Sequence, residues 1–398
     1  MINIYVIAAF WLLAALVSTI IANRLKISMA LMEIIIGAVI GFIALKTGFS
    51  QKLALDAEWM KFLAGLAAIM LTFLSGAELN PDSLKTKFKE ISIVGLVGFA
   101  APFMGATLIT HFLLHWELRP SLLAGIALST TSMAVVYAVM IEYGFNKTSL
   151  GKSILGACFV NDLGTVIGLG LIFAPFNYKT LIFLAVTVLL IFVLPSMTNY
   201  LIKHFAYKTA AIRTKWILFV LLSMGVLAMW SGSEPVLPAY IIGMVLARTI
   251  EKDNFFVRRL RTMTIGFLTP IYFLRAGALV SLPAILGAFL VFMLLFGGKI
   301  MFKIFGLYPV ISTFNKHKKE KWYYTLLMST GLTFGTISAL YGLTNNIINT
   351  EQYSIIVGVV IASAIIPTLI ANKFFLPDHL LEKPVLEDQL PDILNGKK

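Results

Sequence analysis

Leu128-Ser129-Thr130-Thr131-Ser132-Met133 puts four hydroxyl side chains in succession into the middle of an apolar segment, residues 120–142. Such side chains compete with a helix for its backbone hydrogen bonds. Four together at mid-span predict a break in the helix. Two hundred residues on, Ser329-Thr330-Gly331-Leu332-Thr333-Phe334-Gly335-Thr336 places a second polar, glycine-rich stretch inside the apolar segment 322–344. Unwound backbone at membrane depth is tolerated only where protein or a cavity covers it, and its carbonyls are good ligands for a small cation. Either stretch alone also reads as small residues letting helices pack closely. Two at symmetric places favour paired broken helices.

The composition around these stretches belongs to a membrane protein. Of the 398 residues, 59% are hydrophobic and 13% are charged, where soluble domains run nearer a quarter charged. The mean hydropathy of +0.90 makes lipid the solvent for most side chains. The single cysteine, Cys158, excludes a disulfide framework and a thiolate metal cluster. The five histidines are scattered with no metal-ligand spacing, and no phosphate-binding glycine motif is present. No cofactor is therefore expected.

Apolar runs long enough to cross about 30 Å of hydrocarbon recur along the chain. We place thirteen, at 3–23, 28–46, 59–78, 91–114, 120–142, 150–174, 180–202, 214–231, 235–250, 263–281, 283–308, 322–344 and 353–373. The first lacks a basic leader and a small-x-small cleavage site, so it reads as a retained span. With the N-terminus outside, inner loops and tail carry 24 lysines and arginines, and outer loops carry four: Lys46, Lys52, Arg119 and Lys179. That alternation is the positive-inside pattern and puts the C-terminus in the cytoplasm. It turns the net charge of +13 into a topology signal and a match to anionic lipid, with no nucleic acid implied. The tail, 377–398, is expected to be a loose cytoplasmic segment.

A 200-residue shift aligns Phe73-Leu74-Ser75-Gly76-Ala77-Glu78-Leu79 with Phe273-Leu274-Arg275-Ala276-Gly277-Ala278-Leu279, and Gly98 with Gly298. The shift moves the chain by seven spans, an odd number, so the second copy runs inverted. Inverted repeats with broken helices meeting at the midplane are typical of secondary transporters.

Few ionisable groups lie inside the spans, and each costs roughly 2.5–3.5 kcal/mol at the bilayer centre on insertion scales. Asp162, in Phe159-Val160-Asn161-Asp162-Leu163-Gly164-Thr165-Val166, is too deep and too short to reach the interface. It must be paired, protonated or solvated by a cavity. A group that takes either a proton or a metal ion, but not both, is the minimal element of an exchanger. The bland alternative is a protonated aspartic acid in a structural hydrogen bond. Asn161 offers a carbonyl and an amide beside it. Lys299, in Gly297-Gly298-Lys299-Ile300, reads as the counter-ion. Arg275 lies close enough to a span end to snorkel. Glu33 sits inside span 2, Glu78 at the inner end of span 3, and both are accessory at most. Thr330 and Thr333 are accessory on the second break.

At these residues the chain resembles the monovalent cation/proton antiporter superfamily, most closely its second branch. Met32-Glu33-Ile34-Ile35-Ile36-Gly37-Ala38-Val39-Ile40-Gly41 resembles that branch's glutamate-bearing, glycine-spaced second helix, and Phe73 to Leu79 resembles its F-L-x-G-x-E stretch. Leu128 to Met133 stands where the unwound crossing helix belongs. Asn161-Asp162 matches the pair whose second member binds the ion, and Gly298-Lys299 matches the glycine-lysine of the counter-ion helix.

The resemblance implies an all-α polytopic membrane fold of about 13 transmembrane helices. It implies an inverted repeat with two crossing broken helices in one transporter domain, 1–376. Residues 90–175 and 283–373 would form the mobile core bundle. Residues 1–80 and 214–281 would form the bundle through which two copies pair as a homodimer, with 180–203 as the linker helix. It further implies alternating access in a bacterial inner membrane. Asp162 would bind Na⁺ or K⁺ and H⁺ in turn, with oxygen ligands from Thr131, Thr130, Ser132 and Asn161. The potassium-efflux members carry a cytoplasmic nucleotide-binding domain, for which this sequence has no segment. A sodium-coupled organic-solute symporter of the bile-acid-transporter type is the competing expectation. It would make Lys299 a substrate ligand.

Overall fold

The computed structural model describes residues 4–25, 29–77, 87–145, 148–173, 177–205, 211–233, 235–251, 254–315 and 317–380. Glu78 and the basic loop residues Lys26, Lys85, Lys147, Lys208, Lys252, Lys316, Lys383, Lys397 and Lys398 lie outside these residues.

The described chain is helical throughout. The helices are α1 (Ile4–Leu25), α2 (Met29–Thr47), α3 (Glu58–Ala77), α4 (Phe88–Leu108), α5 (Leu118–Ser129), α6 (Met133–Glu142), α7 (Ser149–Phe173) and α8 (Tyr178–Phe205). After these come α9 (Ile212–Ser231), α10 (Val236–Glu251), α11 (Asn254–Met263), α12 (Thr269–Ala278), α13 (Leu282–Gly287), α14 (Phe289–Phe314), α15 (Lys318–Leu327), α16 (Thr333–Thr344) and α17 (Thr350–Phe374). Among the described residues, nine helices are long and apolar enough to cross a membrane by themselves. The thirteen expected spans are recovered by adding α10, the α11–α12 run joined through a wide turn at Thr264–Leu268, and the two interrupted pairs α5–α6 and α15–α16. One boundary moves. The eleventh span, expected at 283–308, is α14 at 289–314. Residues 282–287 form the separate short helix α13, started by the Ser281 hydroxyl accepting from Ala284 N.

The inverted repeat is visible in the helix limits. Helices α5 and α15 begin at 118 and 318, and α6 and α16 at 133 and 333. Helix α7 spans 149–173 and α17 spans 350–374, a constant offset of 201. Asn349 opens α17 with a reciprocal cap. Its side chain accepts from Gln352 N at 2.8 Å, and the Gln352 side chain accepts from Asn349 N at 3.0 Å.

Packing divides the helices into two groups, and glycine sets the closest approaches. Helices α2 and α12 cross with Gly37 against the Leu274 carbonyl and Gly277 against the Ile34 carbonyl. Helices α3 and α10 repeat this, with Gly76 against the Tyr240 carbonyl and Gly243 against the Phe73 carbonyl. These are small-residue crossings of the kind that hold helices together where water cannot. The glycine motifs of the second and third helices therefore serve helix contact. Helices α4, α5 and α7 pack with α14 to α17 as the second group. Helix α1 lies along α2 and α12, anchored by buried Trp11, whose Nε1 donates to the Leu53 carbonyl at 3.1 Å. Helix α8 lies against α9 and α10, with Phe192 and other large apolar side chains on an exposed face suited to lipid tails.

Candidate ion site at the crossing of two interrupted helices

Both interruptions arise as the hydroxyl rule predicts. Ser129 Oγ donates to the Ile126 carbonyl at 2.8 Å and Thr130 Oγ1 to the Ala127 carbonyl at 3.0 Å. Thr130 then turns to extended backbone, with φ −62° and ψ 152°. Helix α6 restarts with the Ser132 hydroxyl accepting from Val135 N at 3.3 Å. In the second copy Ser329 Oγ donates to the Thr325 carbonyl at 2.7 Å and Thr330 Oγ1 to the Leu327 carbonyl at 2.7 Å. The two unwound segments bond to each other. Ser132 N donates to the Thr330 carbonyl at 3.2 Å, and Thr131 Oγ1 donates to the Met328 carbonyl at 2.8 Å. All these groups are buried, so each break finds partners in protein.

Asn161, on α7, clamps the first break. Its Oδ1 accepts from Thr131 N at 2.9 Å, and its Nδ2 donates to the Ser129 carbonyl at 3.3 Å. The side chain is committed to two backbone groups that lost their helical partners. Asn161→Ala is therefore expected to lower thermal stability by about 1–3 kcal/mol for each buried group left unpaired, read as a fall in the unfolding midpoint in detergent. An unchanged midpoint with altered cation affinity would instead make Asn161 chiefly a ligand.

Asp162 follows it and is 1% exposed. Its Oδ1 has no hydrogen-bond partner. Lys303 acts on it electrostatically. Lys303, on α14, is fully buried and donates to Thr131 Oγ1 at 3.0 Å. Lys299, one turn earlier, donates instead to Ser363 Oγ at 2.8 Å and lies over Gly331, where any Cβ would collide with its ammonium. Ser363 is the fourteenth residue of α17, as Asp162 is of α7. Each lysine thus serves one interruption, and Lys299 is hydrogen-bonded to the repeat-mate of Asp162. Among the described residues neither lysine lies within 4.0 Å of an Asp162 carboxylate oxygen. Sequence reading named only Lys299. The spacing of four, which puts both lysines on one helix face, was the signal for Lys303.

Tyr240, on α10, was also missed. Its hydroxyl donates to the Phe159 carbonyl at 3.0 Å, and its ring stacks on Phe159 at 5.4 Å. It joins the α2–α3–α10–α12 group to the helix that carries the carboxylate.

The accessory positions scatter. Glu33 is buried on α2 with Oε2 unpartnered. Arg275 is buried on α12, and its Nε donates to the Leu55 carbonyl at 2.7 Å. It lines, with Lys61, Ser233, Tyr341 and Asn345, a cavity of about 380 Å³ that Asp162 does not line. Thr333 opens α16.

Residues 12–374 match the family described as sodium/hydrogen exchanger, transmembrane. The chain belongs to that family. Among its relatives, a probable Na⁺/H⁺ antiporter 3 of Methanocaldococcus jannaschii is 31% identical over 232 residues, which are 55% of this chain and 58% of that protein. The aligned stretch thus spans little more than half of this relative. A Na⁺/H⁺ antiporter of Enterococcus hirae is 24% identical over 91% of this chain and 96% of its own. In fold, the chain is similar to the sodium proton antiporter MjNhaP1 from Methanocaldococcus jannaschii at pH 8, with a TM-score of 0.70 and 16% identity over 94% of this chain and 99% of that one.

Proposed function

We propose that this chain exchanges sodium for protons by alternating access, with Asp162 as the shared carrier. The observation that supports it is a buried carboxylate with one oxygen unpartnered, set where two interrupted helices cross. A negative charge there is compensated in three ways: by a proton, by a cation, or by Lys303. Oxygens of Thr131 and of the unwound backbone complete a small-cation shell, and carboxylate with carbonyl and hydroxyl oxygen suits hard cations. Lys303 takes up the charge when the site is empty. Helices α4 to α7 with α14 to α17 carry the site, and move against α1 to α3 with α9 to α12. Tyr240 on α10 is the sliding contact. The bundle of α1 to α3 with α9 to α12 pairs two copies into a homodimer, with the N-terminus outside and the C-terminus in the cytoplasm of a bacterial inner membrane.

The test is proton flux in proteoliposomes that enclose a pH-sensitive dye, with Na⁺, Li⁺ or K⁺ added outside. Sodium is expected to dissipate an imposed proton gradient in a saturable way. A response to potassium alone would correct the ion. No response to any of the three would sink the exchanger reading and bring forward the sodium-coupled organic-solute symporter.

A further inference from the structure

Away from the crossing, three potential metal ligands meet at one end of the fold. His317 precedes α15, Glu320 lies in its first turn, and His379 lies in the short turn Asp378–Leu380 that follows α17. The ligand atoms of all three fall within 4.8 Å of one another. His379 Nε2 is 2.7 Å from Glu320 Oε1, and the two imidazole rings are 5.0 Å apart. Glu320 and His379 are 59 residues apart in sequence, so helix geometry alone does not explain the meeting.

The turn that brings His379 here is held independently. Trp322 stacks on Phe375 at 5.5 Å and packs on Tyr308 at 4.6 Å. Lys319 pairs with Asp378, and Leu376 and Leu380 pack onto a buried apolar cluster. Glu320 is the least exposed of the pair it forms with His379, at 13% against 46% of the side chain. The donors therefore stand on an anchored scaffold, and their side chains remain accessible.

We infer that His317, Glu320 and His379 form a binding site for a divalent transition-metal ion of the zinc type. Two imidazoles and one carboxylate are a common zinc donor set, with a water in the fourth place. Imidazole suits zinc, cobalt and nickel over magnesium or calcium, which prefer oxygen alone. Zinc draws its ligands to about 2.0–2.2 Å, so the three donors close inward by rotating about their side-chain bonds, and the Glu320–His379 hydrogen bond gives way to metal ligation. A bound ion would tie the end of α17 to the start of α15, the half-helix whose far end meets Thr131 and Ser132.

The test titrates cobalt(II) into tag-free, full-length protein in detergent, with zinc competition followed by calorimetry. One equivalent of cobalt is expected, with intense visible bands of a tetrahedral site that zinc abolishes. The double variant His317→Ala/His379→Ala should bind at least tenfold more weakly and lose the bands, and Glu320→Gln should weaken binding alone. His204→Ala, a control remote in sequence, should behave as wild type. The metal-free unfolding midpoint of the double histidine variant should match wild type, since both histidines are exposed. Equal binding by the double variant, or only weak multi-equivalent binding by wild type, would overturn the site. None of these readouts depends on transport.

Discussion

Asp162→Asn is expected to abolish sodium-coupled proton movement, a fall of roughly a hundredfold or more, the size seen when a single preorganised electrostatic group is removed from a reacting site. The two side chains have nearly the same shape, so the contacts of α7 survive. What is lost is the ability to carry a negative charge and to take up a proton. Stability should move the other way. Burying a carboxylate costs several kcal/mol unless it is paired, and Oδ1 has no hydrogen-bond partner. The amide removes that penalty, so the unfolding midpoint should hold or rise. A variant that still exchanges sodium for protons would place the carrier elsewhere. One that no longer folds would make Asp162 structural. Lys303→Gln supplies the complement, since it leaves the carboxylate without the cation that acts on it. It should slow exchange more than Lys299→Gln does, because Lys299 is bonded to Ser363. The reverse order would restore Lys299 as counter-ion.

Gly277→Ala is expected to damage the fold itself. An added Cβ would collide with the Ile34 carbonyl oxygen across the α2–α12 crossing, and Gly37→Ala would collide with Leu274 from the other side. Overpacking typically costs 1–3 kcal/mol where side chains can yield. Here the obstacles are backbone on both helices, so the loss should lie at or above the top of that range. For a chain of this size that is a fall of about 4 °C or more in the unfolding midpoint. Gly297→Ala is the control, because nothing lies within 4 Å of a Cβ built there. It should be neutral or stabilising by up to about 1 kcal/mol, as alanine is the better helix former. Equal midpoints for the three proteins would mean the crossing relaxes, and that its glycines are not the basis of the packing.

The apolar segments, the two interruptions and Asp162 were legible in the sequence because their causes are local. A span needs about twenty apolar residues whatever lies beside it. Consecutive hydroxyls unwind a helix through their own backbone, as Ser129, Thr130, Ser329 and Thr330 do. A carboxylate far from either interface is conspicuous in any span. The tertiary structure decided what depends on how the helices are rotated and which ones meet. Lys299 and Lys303 share a face one turn apart, so the sequence could not say which is bonded to Ser363 and which acts on Asp162. Asn161 carries both a ligand's oxygen and a clamp's amide, and only the position of Thr131 N and the Ser129 carbonyl made it a clamp. Tyr240 reads as one more aromatic residue until α10 is laid against α7. The five histidines looked scattered because chain separation hides spatial contact. The return of the chain after α17 to the start of α15 brings His379 to His317 and Glu320, a meeting set by topology and by the packing of Trp322 on Phe375.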